Sequence, residues 1–88
     1  MESLNIDQIN EIARNIPMYK VFSSNVSGIG YDNKNKLMKV IFKGNHSYLY
    51  FNVEQDTYDN IMNSESKGKT LNESVVRQKD KYKYIKLN

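Results

Sequence analysis

Lys36-Leu37-Met38-Lys39-Val40-Ile41-Phe42-Lys43-Gly44-Asn45-His46-Ser47-Tyr48-Leu49-Tyr50-Phe51-Asn52-Val53 is the stretch that decides the fold. Two runs rich in apolar and aromatic residues, 36–43 and 46–53, flank Gly44-Asn45, a hairpin signal. Side chains alternate between the faces of a strand. Met38, Val40 and Phe42 therefore share one face of the first strand, and Leu37, Lys39, Ile41 and Lys43 the other. On the second strand His46, Tyr48 and Tyr50 alternate with Ser47, Leu49, Phe51 and Val53. Loop length decides which faces coincide. A two-residue loop at 44–45 pairs 43 with 46, 41 with 48 and 39 with 50. Tyr48 and Tyr50 then stand beside Lys39, Lys43 and His46. A three-residue loop at 44–46 shifts the register by one and turns the strand over. Tyr48 then faces Phe42 and Tyr50 faces Val40, inside the core. The first register makes an aromatic and basic platform of the kind on which bases stack. The second makes a packed core with tyrosine hydroxyls at its edge.

The flanking segments read as mixed structure. Ile6, Ile9, Ile12, Ala13 and Ile16 recur at helical spacing and form one apolar stripe. Asn5 with Gln8 makes a capping box, and Pro17 ends the helix at Ile16. Residues 19–31 are extended, with Gly28 and Gly30 at a bulge or close approach. Residues 32–35, Asp-Asn-Lys-Asn, form a turn. Residues 54–62 predict a helix with acidic residues in its first turn. Thr70-Leu71-Asn72-Glu73 reads as a second capping box, so a further helix is predicted from Leu71, with Leu71, Val75 and Val76 inward. After Asp80, Tyr82, Tyr84 and Lys86 alternate with Lys81, Lys83 and Ile85, which fits either an edge strand or a basic tail.

The whole chain is 88 residues and 10.3 kDa, with 39% hydrophobic residues, so it holds one small core. Its stability is expected to be modest, about 5 kcal/mol. No Cys is present, which excludes disulfides, thiol catalysis and Cys-based zinc sites, and a single His weakens every triad or His-cluster reading. The start, Met1-Glu2-Ser3, lacks the basic and apolar segments of a leader, and no apolar run approaches a membrane span, so the protein is expected to be cytoplasmic and away from membranes. Net charge is +3, unevenly distributed: residues 1–33 carry −2, 34–53 carry +4, 54–65 carry −4 and 66–88 carry +5.

Several residues are candidates for phosphate contact. Ser66-Lys67-Gly68-Lys69 leads into the predicted helix, where free N–H groups attract anions and Gly68 permits close approach. The spacing is not that of a Walker motif. Arg77, Lys79, Lys81, Lys83 and Lys86, interleaved with Tyr82 and Tyr84, form a basic and aromatic run able to track a phosphate backbone. His46 has no partner that would make it catalytic. Glu54, Asp56, Asp59 and Glu65 read as a solvated acidic face that would turn nucleic acid to the other side.

Three segments resemble a known family. Ser24-Asn25-Val26-Ser27-Gly28-Ile29-Gly30-Tyr31-Asp32, Tyr48-Leu49-Tyr50 and Ser66-Lys67-Gly68-Lys69-Thr70-Leu71-Asn72 are similar, in order and spacing, to the motifs of the KTSC domain. That domain occurs at the C-terminus of some lysyl-tRNA synthetases and as small stand-alone proteins. The chain departs from the pattern at Val53-Glu54, in place of Val-Pro, and at Thr70-Leu71, in place of an aromatic pair. The resemblance implies RNA binding, and it favours tyrosines that face the core.

The expected fold is α+β. It has a three-stranded antiparallel meander, two C-terminal helices packed on it, and an added N-terminal helix. Residues 1–18 are the helical extension, 19–80 the KTSC-like domain and 81–88 a basic, aromatic tail. The expected function is a non-catalytic module without cofactor or metal, binding single-stranded RNA, a nucleotide or another phosphate-bearing ligand. Lys39, Lys43, Ser66, Lys67, Gly68, Lys69 and Arg77 would contact phosphate, and Tyr48 and Tyr50 would stack on bases if exposed. The alternative is a small protein-interaction or inhibitor protein, for example of a phage or mobile element. It would sequester a nucleotide signal, bind a host protein, or self-associate through the N-terminal helix.

Overall fold

The capping box at Asn5 forms as its residues dictate. Gln8 N–H donates to Asn5 Oδ1 at 2.8 Å, and Asn5 N–H donates to Gln8 Oε1 at 2.9 Å. Helix α1 therefore runs Ile6–Asn15, and Ile16, held out of helical geometry by Pro17, is extended. These features belong to a computed structural model that describes residues 4–87.

Five strands follow in one antiparallel sheet, in the order β1-β2-β3-β4-β5: β1 Met18–Lys20, β2 Val26–Asp32, β3 Leu37–Phe42, β4 His46–Tyr50 and β5 Tyr84–Lys86. The three-stranded meander is thus the centre of a larger sheet. Both added strands are three residues long, too short for a periodic signal. β5 also pairs with β4 across more than thirty residues of chain, with Tyr48 opposite Lys86 and Tyr50 opposite Tyr84. No local pattern specifies such a pairing. The predicted irregularity near Gly28 is present as a bulge between Val26 and Gly28.

Helix α2 (Gln55–Met62) is followed by α3 (Lys67–Leu71), which runs on into a π-helical turn, Asn72–Val76. Here the second capping box is corrected. The helix starts four residues earlier than predicted, and Thr70 lies inside it. Its hydroxyl pairs with Ser64 Oγ at 2.6 Å, and its N–H donates to Ser66 O at 2.9 Å.

Alternation along the strands gives the sheet two apolar faces, and each is covered. Ile29, Met38, Val40 and Tyr50 meet Val53, Ile61, Leu71, Val75 and Tyr82 from the α2–α3 side. Leu37 and Leu49 meet Ala13 of α1 and Ile16 just past its end, with Ile9, Ile12 and Ile85 partly buried around them. The later part of the apolar stripe of α1 is therefore occupied by its own sheet, and Ile6 at its start remains exposed.

Candidate nucleic-acid interface

The register that decides where the tyrosines lie is set by a third loop. Phe42 pairs with His46, Val40 with Tyr48 and Met38 with Tyr50, so the connection is the three residues 43–45. Lys43 leaves the ladder because its N–H donates to Asn25 O at 3.0 Å. Gly44 (φ 90) and Asn45 (φ 64) close the turn in left-handed geometry, with Asn45 N–H donating to Phe42 O at 3.1 Å. The faces combine as in the second of the two registers read from sequence, with cross-strand partners moved by two residues.

This places the platform residues differently from the first register. Tyr50 is buried against Tyr82 in the core, and burial, reinforced by Tyr84 and Tyr48, pushes its phenol up to about 12. Tyr48 is half-buried. Lys39 points to the opposite face, where its ammonium donates to Ala13 O of α1 at 3.1 Å. It does not stand beside the tyrosines. Lys43 is exposed in the loop.

Register also joins Tyr84 to Phe42 and Tyr48, whose shared face the second register implied, in an aromatic strip that the sequence did not place. Phe42, Tyr48 and Tyr84 come from three adjacent strands on one face. Phe42 meets Tyr48 edge-on at 5.6 Å between centroids, and Tyr48 meets Tyr84 edge-on at 5.8 Å. Tyr84 is 47% exposed, and Phe42 and Tyr48 are half-buried. Opposite Phe42 stands exposed His46, and opposite Tyr48 stands exposed Lys86, on the same face. The strip runs from Phe42, beside the 43–45 loop, to Tyr84, which pairs with Tyr50 at the other end of β4. Its one sequence signal was the alternation of Tyr82, Tyr84 and Lys86, which has meaning only once β5 is known to pair with β4.

The other predicted phosphate residues do not converge on this strip. Ser66 precedes α3 without a side-chain cap, and its N–H is taken by Ser64 Oγ at 3.1 Å. Lys67 Nζ folds back onto Ser64 O at 3.2 Å. Gly68 is buried, and the close approach its missing Cβ permits is made by the chain itself. A Cβ there would lie 3.0 Å from Asn25 Oδ1, 3.1 Å from Ser23 Cβ and closer still to Ser23 Oγ. The space a side chain at Gly68 would take is filled by the 23–25 loop. Lys69 and Arg77 are exposed.

The surroundings of Tyr31, across the sheet in the row of Met38, Tyr50 and Tyr84, are acidic. Tyr31 and Tyr58 stack at 4.7 Å, and the Tyr31 hydroxyl donates to Val53 O at 2.5 Å. Burial raises both phenols. Glu54, Asp32 and Asp59 add to the rise at Tyr31, and Tyr19 and Asp59 at Tyr58. A cavity of about 850 Å³ between α1 and the 31–35 turn is lined by three acids, Asp7, Glu11 and Asp32, and one cation, Lys34, a net negative wall that disfavours phosphate. Among the described residues no group of His, Asp or Glu is placed to hold a metal ion, and no helix is long and apolar enough to cross a membrane.

Comparison with known proteins bears on the whole of this arrangement. The sequence profile of the KTSC domain matches residues 22–84. The chain belongs to the KTSC-domain family. A protein of Tsukamurella paurometabola is 33% identical over 55 residues, which span 62% of this chain and 82% of its own. The crystal structure of a KTSC domain protein from Yersinia pestis superposes with a TM-score of 0.73 at 27% identity, covering 83% of this chain and 99% of that one. Helix α1 and strand β1 precede the matched segment. Within it, the motif residues of this KTSC domain largely hold the fold. Gly68 of the third motif seats the 23–25 loop that opens the first. Tyr31 of the first clamps the chain ahead of α2. Tyr50 of the central motif fills the core. Leu71, where an aromatic residue was expected, is fully buried.

Proposed function

We propose that this protein is a non-catalytic, cytoplasmic module that binds single-stranded RNA or a related phosphate-bearing ligand through the Phe42–Tyr48–Tyr84 strip. The observation that carries the reading is the strip itself: Tyr48 in contact with Phe42 on one side and Tyr84 on the other, partly exposed, with His46, Lys86 and Lys43 around them. Each base stacked on such a ring contributes about 1–3 kcal/mol, with little dependence on sequence. The neighbouring cations hold phosphates, so the affinity depends on salt. About 0.7 of a counterion is released per phosphate on a single strand, and the two lysines, Lys43 and Lys86, give a slope of roughly −1.4 in log K against log salt. Helix α2, with its acidic residues, covers another part of this same face and repels the backbone there, leaving the strip.

The test is an amide NMR titration of the labelled protein with a short mixed-sequence single-stranded RNA at low and moderate salt. The expected result is salt-sensitive shifts at Phe42–Tyr48 and 84–87. Tyr84→Ala is expected to weaken binding at least about fivefold without unfolding, because the residue is exposed. Shifts confined to 66–71 would move the site to the start of α3. Silence up to millimolar RNA would end the reading.

A further inference from the structure

The reverse face of the same strands carries a second cavity, of about 370 Å³, within the size range of small-ligand sites. Its lining is Asn10, Ala13 and Arg14 from the later part of α1, Lys39 of β3, Ser47 of β4 and Leu87 just past β5. The charged lining is cationic only, Arg14 and Lys39, and Asn10 and Ser47 add neutral polar groups. Lys39 gives an N–H to Ala13 O, and an ammonium carries three. That bond fixes the head of a half-buried lysine at the cavity wall. Arg14 is hydrogen-bonded to Glu11, which does not line the cavity, and a guanidinium has five N–H donors in a fork suited to oxyanions.

We propose that this cavity binds a compact oxyanion, the phosphate or carboxylate group of a small metabolite, with Arg14 and Lys39 as its charged contacts. Two features oppose the anion and set a modest affinity. Glu11 neutralises part of Arg14, and the carbonyl end of α1 is electronegative. Removing the charge of Glu11 should therefore tighten binding, a gain that damage to the fold does not mimic. The site is on the opposite face from the aromatic strip and stands independently of RNA binding.

The experiment follows the amides of Ala13, Lys39, Ser47 and Leu87 by NMR. Inorganic phosphate, ribose 5-phosphate and succinate are added in turn, at constant ionic strength set with chloride. The expected result is saturable shifts at these positions with at least one of the three, and the arms separate phosphate from carboxylate ligands. Arg14→Gln, at an exposed side chain, should weaken that binding at least about tenfold, and Glu11→Gln should strengthen it. The proposal is overturned by shifts that grow linearly without saturating, by a saturable response that Arg14→Gln leaves unchanged, or by shifts confined to His46, Tyr84 and Lys86.

Discussion

Gly30 and Gly28 stand two residues apart on β2, and alanine should be costly at the first and tolerated at the second. A Cβ on Gly30 would lie 2.6 Å from Met18 Sδ, 2.7 Å from Ile16 Cγ2 and closer still to the carbonyl of Pro17. The methionine tip can swing away. The Pro17 carbonyl belongs to the backbone that joins α1 to β1, so relief requires moving the end of α1 off the sheet. Overpacking of this kind costs about 1–3 kcal/mol, here toward the upper end because the obstacle is main chain. Alanine recovers about 0.4–1 kcal/mol by narrowing the unfolded ensemble. The net destabilisation is about 2 kcal/mol, a large part of the total for a chain of this size. At about 4–8 °C per kcal/mol, the thermal midpoint should fall by about 10 °C. At Gly28 the nearest atoms to a new Cβ are Tyr19 O at 3.4 Å and Met18 Cε at 3.6 Å, ordinary contacts. Gly28→Ala should therefore stay within about 1 kcal/mol of the parent. Circular dichroism melts of the two variants make the comparison. Hydrogen exchange at the α1 amides then shows whether helix docking is what Gly30→Ala weakens. Equal midpoints for the two variants, or an unchanged exchange rate in α1 beside a lowered midpoint, would refute the reasoning.

Two further outcomes follow from the packing. Gly68→Ala should destabilise the protein by about 1–2 kcal/mol, because the clash with the 23–25 loop exceeds the gain in helix propensity of about 1 kcal/mol; adding Ser23→Gly should restore most of the loss in urea titrations, and no recovery would show that the loop is not the obstacle. Tyr50 should be among the last tyrosines to ionise in an alkaline ultraviolet titration. Its folded pKa of about 12 exceeds the ordinary value of 10.0, so the folded state keeps a proton that the unfolded state releases; stability is full below pH 10 and falls as pH rises toward 12, by up to about 2–3 kcal/mol, and Tyr50→Phe should flatten that part of the profile.

The strip and the rest of the fold were legible to different degrees for physical reasons. Helix α1 was readable to the residue, because its cap, its apolar period and its terminating proline are all local. The central hairpin was readable as a hairpin and its register was not. Gly44-Asn45 signals a turn, and the loss of Lys43 from the ladder depends on a hydrogen bond to Asn25, eighteen residues away. Thr70-x-x-Glu73 was misread because a capping box describes only local bonds, and Thr70 found its partner in Ser64 instead.

Sequence by itself determined the class of fold, the kinship with KTSC domains, the apolar faces and the uneven charge, since composition and periodicity are carried by neighbouring residues. Tertiary structure alone decided that Lys39 lies under α1 and that Gly68 seats the 23–25 loop. It alone brought Phe42, Tyr48, Tyr84 and Lys86 to one face. Each of these depends on which strand lies beside which and in what register, and a one-residue shift in pairing sends every side chain to the other side of the sheet.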